Sequence, residues 1–118
     1  MPKVMIVEDE KYLLKLYKDE LEDDGYEVIS LDDGGRVLAS LKEFKPQVVV
    51  LDIRLGPHEG LEILEQIKNY DRGLPVIINS AYSSYKANFS SWLADDYVVK
   101  SPDLTELKDT IRKHLVRA

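Results

Sequence analysis

The chain has no cysteine, only two histidines, and no apolar run of the roughly 18 residues that a membrane helix needs. The missing cysteines exclude disulfide bonds and thiolate metal sites. The histidines, His58 and His114, are too far apart in sequence to indicate a metal site, and we interpret both as surface residues. The first apolar run ends in Glu8-Asp9-Glu10, which is too short and too acidic for a signal peptide. These absences favour a cytoplasmic protein.

Positive charge is also in short supply. The chain carries 16 basic and 22 acidic residues, for a net charge of -6 and a pI of about 4.9. An acidic surface argues against nucleic acid or an anionic membrane as a direct partner. The length of 118 residues and the 44% hydrophobic content fit one domain over residues 1–118 with a substantial core.

Short β-branched runs alternate with amphipathic segments along the whole chain. The predicted strands are Lys3 to Val7, Glu27 to Leu31, Val48 to Asp52, Val76 to Asn79 and Tyr97 to Val99. The third run is continuously apolar, as expected for a parallel strand covered on both faces. The pattern predicts an α/β fold, a doubly wound (βα)₅ flavodoxin-like three-layer sandwich with parallel strand order 2-1-3-4-5.

The amphipathic segments predict five helices. The first has apolar residues four apart and ends before Gly25, and the second ends before Pro46. A third is marked by Ile63, Leu64 and Ile67, and a fourth carries an aromatic stripe over residues 82–92. The last begins with a predicted capping box from Asp103 to Glu106. Their apolar positions are Leu13, Tyr17, Leu21; Val37, Leu38, Leu41, Phe44; Ile63, Leu64, Ile67; Tyr82, Tyr85, Phe89, Trp92; and Leu104, Leu107, Ile111, Leu115.

Charged residues follow three of the predicted strands. Glu8 and Asp9 come after the first, Asp52 closes the third and Lys100 closes the fifth. In an open parallel sheet, ligands bind outside the carboxyl ends of the strands, so these side chains are expected to meet. Two unit charges 4 Å apart repel by roughly 4 kcal/mol at an effective dielectric near 20, so the acids need a positive partner. The carboxylate oxygens are ligands that Mg²⁺ prefers. A metal, a carboxylate and a lysine at one site are typical of phosphoryl transfer to the carboxylate.

In these motifs the chain closely resembles the receiver domain of two-component response regulators, over its whole length. The motifs are Val7-Glu8-Asp9-Glu10, Leu51-Asp52-Ile53-Arg54 with Gly60 eight residues after Asp52, Asn79-Ser80-Ala81, and Tyr97-Val98-Val99-Lys100. Each motif alone is weak evidence, but together they occur in order and at the ends of the expected strands. The resemblance implies Mg²⁺-dependent transfer of a phosphoryl group from a phosphohistidine to an aspartate.

The resemblance assigns a role to each matching residue. Asp52 is the expected phosphoacceptor, and Asp9, Asp52 and the backbone carbonyl of Arg54 are the expected Mg²⁺ ligands. Glu8 replaces the more common aspartate and is one methylene longer, so we expect it to reach the metal through water. Lys100 is expected to pair with the phosphoryl oxygens, and with Asp52 before phosphorylation.

The same resemblance identifies switch residues and residues that control the lifetime of the phosphoryl group. Ser80 is expected to hydrogen-bond the phosphoryl group, and the Tyr97 ring to turn inward on activation. Arg54 and Tyr82 occupy the two positions that gate water in this family, and a bulky pair there would slow hydrolysis. Ala81 is small where a larger side chain would hinder approach to Asp52.

Two departures from the family pattern concern loop geometry. Gly56 precedes Pro57 where the family usually has proline four residues after the acceptor. Ser101 separates Lys100 from Pro102, where the family usually has a proline, often after a cis bond. A cis bond before Ser101 would cost roughly 2.5–4 kcal/mol, so the sequence leaves its geometry open.

The resulting prediction is a stand-alone receiver that acts as a phosphorylation switch and catalyses only its own phosphorylation and dephosphorylation. Its partners would be a histidine kinase or phosphotransfer protein upstream and an unidentified protein downstream. The downstream protein is expected to bind the face made by the fourth predicted helix, the fifth strand and the last helix. Two alternatives are a receiver-like binding module that is never phosphorylated and a phosphohydrolase. The second usually needs another aspartate at the position of Arg54.

Overall fold

Parallel strands and helices alternate in the computed structural model, which describes residues 1–53, 59–82 and 94–116. The strands are β1 (Lys3–Val7), β2 (Glu27–Leu31), β3 (Val48–Leu51), β4 (Val76–Ser80) and β5 (Asp96–Val99). The helices are α1 (Lys11–Asp23), α2 (Val37–Phe44), α3 (Glu59–Tyr70) and α4 (Thr105–Val116), with a 3-10 turn at Gly34–Arg36. The strands form one parallel sheet in the order β2-β1-β3-β4-β5, which confirms the predicted doubly wound flavodoxin-like fold.

Helices cover the sheet on both faces. One core cluster packs α2 and α3 against the sheet through Val37, Leu41 and Ile67. The other packs α1 and α4 against the opposite face through Tyr17, Leu21, Val28, Leu107 and Ile111. Every residue of β3 is buried, as its uninterrupted apolar sequence predicts.

The ends of α1 and α2 follow their sequence signals. Gly25 lies just past α1 with a φ of +96°, a left-handed conformation that glycine adopts without a steric penalty. Lys45 ends α2 in the left-handed region as well, directly before Pro46. The predicted boundaries of β3, β4 and β5 are each off by one residue.

The predicted capping box is wrong, because the last helix starts with hydrogen bonds other than the two that a capping box requires. Helix α4 begins at Thr105, and the Asp103 carboxylate accepts hydrogen bonds from the Thr105 N–H at 2.9 Å and its hydroxyl at 2.6 Å. The Asp103 N–H donates to the Ser101 hydroxyl at 3.1 Å, where the capping box requires Glu106 to be the acceptor. The serine that departs from the family pattern therefore supplies the second hydrogen bond of this cap.

The prediction that His114 lies at the surface is wrong. His114 is 7% exposed on the inner side of α4, and its Nε2 lies 3.3 Å from Asp96 Oδ2. Lys113 contacts the same oxygen at 2.7 Å, and these contacts hold the pKa of Asp96 below its usual value despite its partial burial. The contacts of Lys113 and His114 with Asp96 connect the last turn of α4 to the start of β5. His58 lies outside the described residues.

No helix within the described ranges is both long enough and apolar enough to cross a membrane. The fourth predicted helix, over residues 82–92, falls outside the description except for Tyr82. The prediction for that segment is not tested.

Candidate phosphoacceptor and metal site

The site forms where β1, β3 and β5 end at one edge of the sheet. The backbone ladder continues one residue beyond these strands: the Asp52 N–H donates to the Val7 carbonyl at 2.9 Å, and the Lys100 N–H to the Ser80 carbonyl at 2.7 Å. These bonds fix the backbone from which the Asp52 and Lys100 side chains extend. The charged side chains are therefore held by rigid elements of the sheet.

The structure brings the predicted acids together. Carboxylate oxygens of Glu8, Asp9 and Asp52 all lie within 4.8 Å of one another. Glu8 and Asp52 are buried, with 2% and 4% exposure, whereas Asp9 is exposed. They face an open pocket of about 260 Å³ whose lining residues are Glu8, Asp9, Glu10, Asp52, Ala81, Tyr82 and Lys100.

Lys100 is the positive partner of this cluster. Its Nζ lies 2.6 Å from Glu8 Oε1 and 3.1 Å from Asp52 Oδ2, so the predicted pairing with Asp52 is present. Burial lowers the pKa of Lys100, but the contacts with Glu8 and Asp52 raise it by more, and the net shift is upward. The lysine is therefore charged whenever the carboxylates are.

The donor set fits a hard divalent cation. The three carboxylates supply only oxygen atoms as ligands. Asp9 is exposed and lines the pocket, so the cluster can be reached from solvent. Mg²⁺ prefers such ligands and keeps part of its water shell, for which an open pocket leaves room. Asp9 and Asp52 are the residues that would hold it, while the predicted carbonyl ligand of Arg54 lies outside the described residues.

The surroundings of Glu8 raise the pKa of its carboxyl group. Burial is the main cause that raises its pKa from 4.5 to about 7; Asp52 adds to the rise, while Lys100 and the Glu10 N–H oppose it. A carboxyl group whose pKa is higher in the folded state stabilises the fold below the unfolded pKa. That contribution is lost as the pH rises through the folded pKa.

We therefore expect the metal-free protein to lose stability between about pH 4.5 and 7. A tenfold change in proton affinity corresponds to about 1.4 kcal/mol, so the loss attributable to Glu8 is about 3 kcal/mol. Urea unfolding in a chelating buffer across this pH range would measure it. Glu8→Gln should flatten the profile, and a variant with the wild-type slope would show that another group titrates.

Ser80 and Tyr97 both contact one residue of the loop after β4. The buried Ser80 Oγ accepts a hydrogen bond from the Tyr82 N–H at 3.1 Å. The Tyr97 hydroxyl donates a short hydrogen bond to the Tyr82 carbonyl, and the Tyr97 ring is 2% exposed. In this structure the ring of Tyr97 therefore already points inward, and Tyr82 connects the two predicted switch residues.

Sequence reasoning missed one polar contact beneath the site. Tyr17 belongs to the apolar stripe of α1 and is 2% exposed, yet Asn79 of β4 is one of the polar groups that act on its hydroxyl. Burial raises the pKa of Tyr17, and the charges of Lys100, Glu8 and Asp52 act on it as well. The available signal was Asn79 itself, a polar residue that interrupts the apolar run of β4.

The Lys100–Ser101 peptide bond, whose geometry the sequence left open, is trans.

Comparison with known proteins agrees with this geometry. The chain is 32% identical to the polar-differentiation response regulator DivK of Brucella anthropi, over 98% of each sequence. It is 30% identical to TcrX of Mycobacterium tuberculosis, a probable transcriptional regulatory protein, over 97% of this chain but only 50% of TcrX. The chain thus spans about half the length of several curated relatives.

A solved structure shows the same fold. TrrA of Thermotoga maritima, a response regulator solved with Mg²⁺ and BeF, is 35% identical, with a TM-score of 0.89 over 97% of this chain and 99% of TrrA. Another structure contains TrrA in complex with the histidine kinase ThkA. Residues 4–112 also match the family described as the response regulator receiver domain. Together with the acid cluster at the carboxyl edge of a 2-1-3-4-5 sheet, this match shows that the chain belongs to the response regulator receiver domain family.

Proposed function

We propose that this chain is a phosphorylation-controlled switch that accepts a phosphoryl group on Asp52, with Mg²⁺ as cofactor, from a histidine kinase or a phosphotransfer protein. The observation that carries the proposal is the position of Lys100, 3.1 Å from Asp52 Oδ2 and beside the oxygen cluster that includes Asp9. A nucleophilic carboxylate, metal ligands and a fixed positive charge are then all present at one pocket. The complex of TrrA with ThkA supports a histidine kinase as the donor.

The proposed reaction is a displacement at phosphorus. An oxygen of Asp52 forms the new O–P bond while the N–P bond of the phosphohistidine breaks, and the imidazole leaves with its electron pair. Lys100 stabilises the negative charge on the phosphoryl oxygens, because its ammonium already lies at the acceptor carboxylate. Mg²⁺, when bound, would neutralise charge on the same oxygens. Asp9 and Asp52 would hold it.

The output would be a change in partner affinity. Ser80, in the last position of β4, would donate a hydrogen bond from its hydroxyl to the phosphoryl group. Tyr82 would pass the change to Tyr97 through the contacts described above. The surface that includes β5 and the last helix would then favour a different protein partner. The proposal includes a cytoplasmic location. It does not include direct contact with nucleic acid or a membrane.

Intact-mass measurement after incubation with acetyl phosphate and Mg²⁺ tests the proposal. We expect a gain of one phosphoryl group that is absent in Asp52→Asn and in a chelating buffer. No gain in a folded, Mg²⁺-binding protein would favour the receiver-like module that is never phosphorylated. Steady release of phosphate from unrelated phosphoesters would favour the phosphohydrolase, and its absence would fit a protein that catalyses only its own phosphorylation and dephosphorylation.

The stand-alone organisation is also part of the proposal. DivK, which this chain matches along 98% of its length, supports it, whereas TcrX is about twice as long. The mass of the protein isolated from its native source would decide between the two forms. A mass well above 13.5 kDa would contradict a stand-alone receiver.

Tyr82 is proposed to control the lifetime of the phosphoryl group, as its family position implies. Tyr82 is 38% exposed and lines the same pocket as Asp52, where its ring would hinder the approach of water to that residue. We expect Tyr82→Gly to dephosphorylate several-fold faster, because water enters more freely. Loss of the phosphoryl group followed by intact mass would measure the rate. Tyr82→Phe keeps the ring and should match the wild type, and equal rates for all three proteins would contradict this role. The part proposed for Arg54 stays a prediction.

A further inference from the structure

Lys100 lies closer to Glu8 than to the phosphoacceptor. Its ammonium is 2.6 Å from Glu8 Oε1 and 3.1 Å from Asp52 Oδ2. The second oxygen of Glu8 is held separately, since Oε2 accepts a hydrogen bond from the Glu10 N–H at 3.2 Å. One oxygen of this buried carboxylate is thus tied to the backbone before α1, and the other faces the lysine.

Phosphoryl transfer changes the contact between Lys100 and Asp52 but leaves Glu8 unmodified. When Asp52 is phosphorylated, its carboxylate loses its charge and its oxygens turn to new partners. The lysine side chain is only 16% exposed, and a buried ammonium without a charged partner is strongly disfavoured. Glu8 is not modified, so it can keep the ammonium in place while the Asp52 contact is exchanged for phosphoryl oxygens.

We propose that Glu8 is a positioning residue for Lys100: its carboxylate anchors the ammonium beside Asp52 both before and after phosphoryl transfer. This inference rests on the proposed function. It differs from the water-mediated metal ligand that the family resemblance implies for Glu8. The longer side chain suits the new role, since one oxygen contacts the Glu10 N–H while the other reaches the lysine. An aspartate is one methylene shorter and would lose one of these contacts.

The test separates metal binding from phosphoryl binding. We would measure Mg²⁺ affinity by calorimetry, and beryllofluoride affinity at saturating Mg²⁺, for the wild type and Glu8→Asp. Anchoring of Lys100 predicts a loss of beryllofluoride affinity on the order of tenfold. Mg²⁺ affinity should change less than about twofold, because the charge at position 8 is kept. Glu20→Asp is the matched control: Glu20 also contacts a lysine, Lys108 at 3.7 Å, but it does not line the acid pocket, so the change should alter neither affinity.

A double-mutant cycle with Lys100→Met identifies the group through which Glu8 acts. If Glu8 works through the lysine, Glu8→Asp should have no further effect on beryllofluoride affinity once Lys100 is replaced. An effect that persists without the lysine, or an equal loss of Mg²⁺ and beryllofluoride affinity, would overturn the inference in favour of a metal ligand.

Unfolding without metal provides a readout that does not depend on phosphorylation. Urea unfolding at about pH 8, where carboxylates are ionised, should show a larger coupling between Glu8 and Lys100 than between Asp52 and Lys100. Glu8→Gln keeps the side-chain length and serves if Glu8→Asp folds poorly. If the wild type gains a phosphoryl group but Glu8 and Lys100 are not coupled, only the anchoring role is wrong. If they are coupled but no phosphoryl group is gained, only the proposed function is wrong.

Discussion

Replacing Gly60 by alanine is expected to destabilise the protein by roughly 3 kcal/mol and to impair Asp52 as an acceptor. A β-carbon at Gly60 would lie 2.2 Å from the carbonyl oxygen of Ile53 and 2.6 Å from its carbonyl carbon and its Cα. All three are backbone atoms, so a rotamer change cannot relieve the overlap. Either α3 or the chain directly after Asp52 has to move.

The sign of this effect is informative because alanine normally stabilises a helix. At an unconstrained position in α3, Gly→Ala would be worth up to about 1 kcal/mol of added stability. Urea midpoints of wild type and Gly60→Ala would show which contribution dominates, and intact mass after acetyl phosphate treatment would report on Asp52. Gly73→Ala is the control, since its β-carbon would meet only a side-chain oxygen of Asp71 at 3.5 Å. An unchanged or raised midpoint for Gly60→Ala would contradict the predicted clash.

Replacing Lys100 by methionine is expected to slow phosphoryl acceptance from acetyl phosphate by roughly 100- to 1000-fold. This is the usual cost of removing one preorganised charge or donor from a reacting centre. Methionine matches the unbranched lysine side chain as far as Cε but removes the ammonium between Glu8 and Asp52. The developing charge on the phosphoryl oxygens then loses its lysine partner. The initial rate of phosphoryl gain, followed by intact mass at fixed Mg²⁺, is the measurement.

Lys108→Met controls for the general loss of a positive charge. Lys108 is 24% exposed and contacts Glu20 and Asp24, which do not line the acid pocket. Its replacement should leave the rate within about twofold, since exposed or partly exposed ion pairs contribute little beyond their own vicinity. If Lys100→Met were phosphorylated at the wild-type rate, the role assigned to this lysine would be wrong.

The sequence was sufficient to predict the sheet and the residues that gather at its edge. Continuously apolar runs such as Val48–Leu51 can only be buried on both sides, which requires helices on both faces and therefore a doubly wound order. The same topology forces Asp52 and Lys100, each directly after a strand, to the same edge. The predicted contact between them is present at 3.1 Å.

Contacts that depend on which side-chain atoms meet could not be predicted. Periodicity reports which face of a helix is buried, but it does not report the partner of a polar residue on that face. It thus gave no sign that His114 would be buried against Asp96, or that Lys68, 5% exposed, would contact Asp95 at 2.6 Å. The short distance from Lys100 to Glu8 is of the same kind, because it depends on one additional methylene and its rotamer.

The hydrogen bonds that extend the sheet ladder to Asp52 and Lys100 have an entropic consequence. Fixing the backbone of one residue costs about 1–2 kcal/mol at room temperature, and here folding has already met that cost for both residues. An incoming phosphoryl group therefore has to restrict only side-chain rotation at these two positions. A site built on flexible loops would lose more of its binding free energy to ordering. Under the proposed function, the acceptor edge would thus be ordered before any donor arrives, and the free energy of phosphorylation would remain available to shift the protein between two states.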